Sequence, residues 1–198
     1  IECPMPYPEI YVLRHGQTEW NREGRHQGRK DSPLTALGLE QAALQGEILR
    51  NAGLTGENVA CYCSPQKRAA KTAEIALAAI NATPKPDDRL MEVGFGHWEG
   101  LTLDEIDANW PGAIEAQPDM FLWSFTSVEG ERFGDMAARC KSFLDSLTRP
   151  SVIVSHGITS RVLRGLWLGL DASGMNDLGG GQGCVFHLAR GKQTKLEG

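Results

Sequence analysis

Apolar residues come in short runs set between longer, mixed stretches, and two different spacings recur. The runs at 10–13 (Ile-Tyr-Val-Leu), 59–63 (Val-Ala-Cys-Tyr-Cys) and 152–154 (Val-Ile-Val) are too short for helices. With their β-branched and aromatic content they predict strands buried on both faces. Between them the apolar positions step by three and four. Leu37, Ala42, Leu44, Ile48 and Leu49 follow Thr35, a good N-cap, and predict a helix ending near Gly53. Ser64 and Pro65 suit the cap and first position of a second helix, on which Arg68 and Thr72 share a face. Further helical patterns cover 102–110, 114–123, 131–147 and 159–170, with Pro111-Gly112 separating the first two.

The remaining stretches read as connections. Residues 21–34, rich in Gly and Arg, predict a long loop; 88–90 form a third short segment after Pro84 and Pro86; 91–100 are rich in turn formers. Residues 183–188 and 192–196 flank Ala-Arg-Gly and predict a closing hairpin. Strands alternating with helices imply an α/β three-layer sandwich: a mainly parallel sheet of about six strands, helices on both faces and an antiparallel edge from the hairpin. The chain of 198 residues reads as a single domain, 1–198.

Composition adds limits rather than direction. At 41% hydrophobic and 23% charged the chain is an ordinary globular protein. A net charge of −5 is the wrong sign for nucleic acid, so an anionic ligand would have to be held by local arginines. The five cysteines, Cys3, Cys61, Cys63, Cys140 and Cys184, are scattered without a paired metal spacing, which suits buried thiols in a reducing compartment. The first ten residues, with three prolines and two acids, resemble neither a signal sequence nor an anchor. The most apolar long segment, 158–170, is interrupted by Arg161 and Arg164 and is too short to cross a bilayer. The expectation is a soluble, cytoplasmic protein with no membrane partner.

Candidate chemistry collects where strands end. Arg14-His15-Gly16 follows the run at 10–13 and Ser155-His156-Gly157 follows the run at 152–154, so both imidazoles can project from one sheet edge, where an open α/β sheet keeps its ligand crevice. Arg14 offers a permanently charged fork and His15 an imidazole, with Thr18 and Asn21 as short polar groups nearby.

Leu13 to Asn21 (Leu-Arg-His-Gly-Gln-Thr-Glu-Trp-Asn), Gln27-Gly28, Asp31 to Thr35 with Gly38, Ser64-Pro65 with Arg68-Ala69 and Thr72-Ala73, Arg89-Leu90 with Glu92, Gly96 and Trp98 to Gly100, Gly130-Glu131, and Ser155-His156-Gly157 together resemble the histidine phosphatase superfamily, in that family's order. The resemblance implies a phosphomonoester hydrolase that needs no metal and no cofactor. His15 would be the nucleophile, forming a phosphohistidine, and Glu92 the acid and base, preferred over Glu99 and Glu19 for the Arg-Leu-x-Glu spacing. Arg14, Arg68 and His156 would hold the phosphoryl group, helped by N–H groups at the helix that follows His156. Asn21, Gln27, Gly28, Thr18 and Gly157 complete the expected substrate-binding set.

The same resemblance makes residues 101–130 a small helical cap insertion. From Leu90 to Glu131 there is no Lys or Arg, whereas the family's mutases carry basic residues after the acid. This segment instead carries Trp98, Trp110, Met120, Phe121, Trp123 and Phe125, most of them expected in the core and one or two at an apolar mouth. Together with Gly130-Glu131-Arg132-Phe133, this resembles the broad-specificity phosphatase branch, acting on a small-molecule phosphate ester. Alternatives stay open: a phosphoglycerate mutase; a sugar bisphosphatase using the basic loop of Arg22, Arg25, His26, Arg29 and Lys30; a phosphate-binding module without turnover. A homodimer is compatible with all of them.

Overall fold

The computed structural model describes residues 7–198; Cys3 lies outside them. Its centre is a six-stranded sheet in the order β3-β2-β4-β1-β5-β6. These strands are β1 (Ile10–Arg14), β2 (Ala60–Cys63), β3 (Lys85–Pro86), β4 (Ser151–Ser155), β5 (Val185–Ala189) and β6 (Lys192–Leu196). The first four run parallel, and the β5–β6 hairpin adds the antiparallel edge.

Side chains alternate across the sheet and build two cores. Ile10, Val12 and Ile153 point to one face, Tyr11, Leu13, Val152 and Val154 to the other. Helices α2 (Ala36–Asn51) and α3 (Lys67–Ala78) cover the second face through Ile48, Leu49, Ala73, Ala76 and Leu77. Helices α6 (Phe133–Asp145) and α7 (Gly157–Leu168) cover the first through Met136, Phe143, Leu144, Val162 and Leu163. Each fully buried Leu, Ile or Phe among them contributes about 1.5–3 kcal/mol of transfer free energy.

Several expectations move, for physical reasons. The loop expected at 21–34 begins with a short helix, α1 (Glu19–Glu23), because Thr18 and Asn21 form a reciprocal capping box. Helix α3 starts at Lys67, not at Ser64-Pro65: the Asp31 carboxylate accepts the Lys67 and Arg68 N–H groups at 2.9 and 3.4 Å and supplies the cap from a distant loop. The third strand is the two-residue Lys85–Pro86 at the sheet edge, where proline is tolerated, and 88–90 is one 3₁₀ turn. Pro118 prevents a helix over 114–123, leaving α5 (Met120–Trp123) after α4 (Leu103–Asn109). A short helix not expected from the sequence, α8 (Ala172–Asp177), precedes the hairpin. No helix among the described residues is long and apolar enough to cross a membrane.

One close approach fixes the start of the site. A Cβ on Gly16 would stand 2.1 Å from the Gly38 carbonyl oxygen, and one on Gly38 the same distance from the Gln17 carbonyl oxygen. Two glycines therefore let the turn after β1 lie directly on the first turn of α2.

Candidate active site

A cavity of about 310 Å³ opens at the carboxyl end of β1 and β4. Arg14 and Ser155 are register partners, and the His15 N–H donates to the Ser155 carbonyl at 3.0 Å. His15 and His156 thus leave neighbouring strands side by side, with ring centroids 5.2 Å apart and planes tilted by 60°.

His15 is 2% exposed. Its Nδ1 lies 2.8 Å from the Gly16 carbonyl, which can only accept, so Nδ1 carries the proton. Its Nε2 accepts from the Arg68 Nε–H at 3.3 Å. Burial, reinforced by the Arg14 and Arg68 charges and opposed by the Gly16 hydrogen bond, holds the imidazole well below its ordinary range. The ring is therefore neutral, with its lone pair at Nε2.

Arg68 is held from behind. Its Nη1 donates to Asp31 at 2.7 Å and to the Lys30 carbonyl at 2.6 Å, and its Nη2 to the Gly28 carbonyl at 2.9 Å. Arg14, by contrast, has a buried Nε with no hydrogen-bond partner among the described residues. Burial lowers its guanidinium from the ordinary value, with the Glu92 carboxylate opposing and Arg161 and Arg68 adding to the effect. His156 Nε2 meets Ser64 Oγ at 2.8 Å, and its Nδ1 is buried without a partner. Burial, then Arg68, His15 and Arg14, hold this ring below its ordinary range too.

Glu92 is the one carboxylate lining the cavity among the described residues. Its Oε1 accepts the Val93 and Thr159 N–H groups at 3.0 and 3.1 Å, and its Oε2 accepts the Ile158 N–H at 3.2 Å. The N–H groups at the start of α7, expected to face a phosphate, therefore reach Glu92 instead. Glu99 accepts from Arg29 and Phe95 backbone N–H groups and Glu19 pairs with Arg22, so both rivals are occupied elsewhere.

Asn21, Gln27, Gly28 and Gly157 line the same cavity. Thr18 does not: it is fully buried beneath α1, where its hydroxyl accepts the Asn21 N–H at 3.2 Å, so its role is to cap. Two residues that the sequence did not single out for the site join it, Gln66 and Gln182, together with His26, which the sequence offered only as part of the basic loop. Gln66 receives the Glu92 N–H at 2.7 Å and donates to the Gly28 carbonyl at 2.8 Å, tying the acid to the loop under Arg68. Gln182 donates to the His15 carbonyl and to Asn21 Oδ1, each at 3.1 Å. His26 packs edge-on against Phe95 and Trp123 and faces the cavity.

The rest of the basic loop is paired off. Arg22 meets Glu19, Arg25 meets Glu23 and Glu105, Arg29 meets Glu131, and Lys30 Nζ reaches the Glu99 carbonyl. Of the aromatic segment only Met120 and Trp123 line the cavity, with Phe95 and Ile158 completing an apolar rim. Trp98 stacks on Trp123 at 4.4 Å, while Phe121 and Phe125 are core. The described cysteines are free and buried, and burial pushes Cys140 up to about 12.

The model of the histidine phosphatase superfamily (branch 1) matches residues 10–196. The chain is 35% identical over 174 residues to a Proteus mirabilis protein named "Probable phosphoglycerate mutase GpmB", covering 83% of this chain and 76% of that one. It is also 35% identical over 189 residues to the glucosyl-3-phosphoglycerate phosphatase of Mycolicibacterium vanbaalenii, covering 89% and 81%. Among solved structures, a mycobacterial glucosyl-3-phosphoglycerate phosphatase complexed with VO3 superposes with a TM-score of 0.79 at 32% identity over 92% of both chains. YhfR of Bacillus stearothermophilus does so at 0.78 and 31%, over 94% of both. Strand-end histidines, sheet order and sequence agree: the chain belongs to the histidine phosphatase superfamily, branch 1.

Proposed function

We propose that the protein hydrolyses small phosphomonoesters through a phosphohistidine on His15. The observation that carries this reading is the state of His15: its proton sits at Nδ1 on the Gly16 carbonyl, and its lone pair at Nε2 accepts from the Arg68 guanidinium, while the Arg14 charge helps hold the ring neutral. The ester phosphoryl group binds with its oxygens toward Arg14, Arg68 and His156. Nε2 attacks phosphorus as the ester P–O bond breaks, and Glu92, which takes up a proton as the phosphoester binds, gives that proton from Oε2 to the departing oxygen. Water then attacks the phosphohistidine, Glu92 takes the water's proton, and inorganic phosphate leaves. The two cations stabilise charge that builds on the phosphoryl oxygens in both steps.

A mutase reading is supported by the name "Probable phosphoglycerate mutase GpmB", which the Proteus mirabilis relative shares with relatives from Yersinia and Klebsiella. A mutase must hold its intermediate acid long enough to return the phosphoryl group. Residues 101–130, which we take as the cap, contribute Met120, Trp123 and Ser124 to the cavity and no cation, which favours release. The test is p-nitrophenyl phosphate turnover in the presence of a chelator, together with labelling of the enzyme. We expect activity to persist and the wild type to form an acid-labile, base-stable phosphoenzyme. In His15→Ala we expect no such label and a loss of roughly 10⁴-fold or more in kcat. Label surviving in that variant moves the nucleophile elsewhere. Isomerisation of 3-phosphoglycerate faster than any ester hydrolysis would decide for the mutase.

A further inference from the structure

Strand β1 leaves its antiparallel partner at Val12, the last residue in register with β5, opposite Phe186. Beyond that point two side-chain carboxamides take over from the backbone ladder. Gln45, fully buried on α2, gives its N–H groups to the Arg14 carbonyl at 2.9 Å and the Cys184 carbonyl at 3.0 Å and so bridges the two chains. Gln182 gives its own to the His15 carbonyl and to Asn21 Oδ1, each at 3.1 Å. The loop that carries Gln182 is rooted in the core. Arg164, fully buried, donates from Nη2 to the Gly179 carbonyl at 2.8 Å, from Nη1 to Gln193 Oε1 at 2.8 Å and from Nε to Ser160 Oγ at 3.0 Å, with its guanidinium carbon 3.8 Å from the centre of the Phe186 ring.

These contacts decide which way two amides face. A main-chain N–H can only donate, so the Asn21 atom that meets the Thr18 N–H at 3.2 Å is the oxygen. A main-chain carbonyl can only accept, so the Gln182 atom on His15 is the nitrogen, and Gln182 meets Asn21 through its second N–H. Asn21 Oδ1 is thus held by two donors, while its NH₂ group makes no hydrogen bond among the described residues. Asn21 lines the cavity together with Arg14, His15 and Arg68, so these two N–H donors remain for a ligand bound there. They suit a phosphoryl oxygen. A flipped Asn21 would set its own carbonyl oxygen against that oxygen instead.

Resting on the phosphomonoesterase reading, we propose that Gln182 is a positioning residue for phosphoryl transfer: its amide holds Asn21 in the orientation that offers N–H donors to the phosphoryl group, and it pins the main chain of the nucleophile His15. Both acceptors it serves are oxygens, so the task needs two N–H groups on one atom, which a carboxamide supplies and an apolar side chain of the same length does not. Without them Asn21 Oδ1 keeps only the Thr18 N–H, and the His15 carbonyl loses its side-chain partner.

The experiment measures p-nitrophenyl phosphate turnover and inhibition by orthovanadate, which mimics the transferring phosphoryl group, on the wild type, Gln182→Met, Gln182→Asn, Asn21→Ala and the double variant Asn21→Ala/Gln182→Met. Gln182→Met should lower kcat/KM by about 10- to 100-fold, with kcat falling as well, and should weaken orthovanadate inhibition by about 10-fold. Gln182→Asn keeps the NH₂ group on a shorter arm between Gly181 and Gly183 and should recover part of the loss. In the Asn21→Ala background the Gln182→Met change should cost at least about threefold less, because the amide it orients is gone. Equal factors in the two backgrounds overturn the proposal. So does a Gln182→Met variant whose Tm shifts while kcat and orthovanadate inhibition stay as in the wild type, since that is the behaviour of a purely structural residue. A wild type that leaves p-nitrophenyl phosphate intact marks a failure of the phosphomonoesterase reading instead, and orthovanadate binding by calorimetry on the same variants then still decides whether Gln182 orients Asn21.

Discussion

Asp31 joins two tasks in one carboxylate: it caps α3 through the Lys67 and Arg68 N–H groups and pairs with the Arg68 guanidinium at 2.7 Å. Arg68 is 2% exposed, so its charge sits where a misaimed fork has no solvent to fall back on. Asp31→Asn keeps the shape and removes the charge. We expect kcat/KM to fall by about 10- to 100-fold, with kcat falling as well as KM rising, because Arg68 loses its aim at the transferring group. A change confined to Tm would make Asp31 merely a helix cap. At this scale the sequence exposed Arg14, His15, Arg68, Glu92 and His156 because each stands in a short motif. It did not expose Gln66, Gln182 or the role of Asp31, because their partners lie 26 to 167 residues away and two of the three act largely on backbone groups, which leave no pattern in side-chain order.

Among elements, legibility followed length and symmetry of burial. Strands β1 and β4 and helices α2 and α7 announce themselves through continuous or periodic apolar positions. Strand β3, only two residues long, and the six-residue α8 carry no such pattern. The late start of α3 was hidden because its cap comes from another loop. The contact of β1's exit turn with α2 makes a prediction of its own. Gly38→Ala places a Cβ 2.1 Å from the Gln17 carbonyl oxygen, and backbone must move to relieve it. Destabilisation of roughly 1–3 kcal/mol in urea unfolding is expected, with a fall in kcat because the displaced turn carries His15 and Gly16. Full activity at unchanged stability would show that the turn yields freely.

The molecule as a whole carries a charge of −5 yet gathers cations and neutral imidazoles at one sheet edge. Its stability should register this through pH. Native His15 and His156 titrate below the ordinary imidazole value, whereas the unfolded chain takes up protons near 6.5. Stability is therefore fully present above that pH and is lost as pH falls below it, by up to about 1.4 kcal/mol per pH unit for each ring. The urea midpoint should drop between pH 7.5 and 5.5, and His156→Gln should make the drop shallower. A slope unchanged in that variant would mean His156 is charged in the native state. The two-faced core and mainly parallel sheet were legible at this scale; the pairing-off of the basic loop was not, because Glu99, Glu105 and Glu131 reach it from 69 to 102 residues away.

The in-register ends of β1 and β4 have a metrical consequence. Adjacent strands in any sheet lie about 4.8 Å apart, and the two imidazole rings that continue these strands are 5.2 Å apart. The separation of the two rings is thus close to the strand spacing of the sheet itself. Main-chain hydrogen bonding common to all parallel sheets brings two imidazoles to within one strand of each other before any side chain around them is chosen.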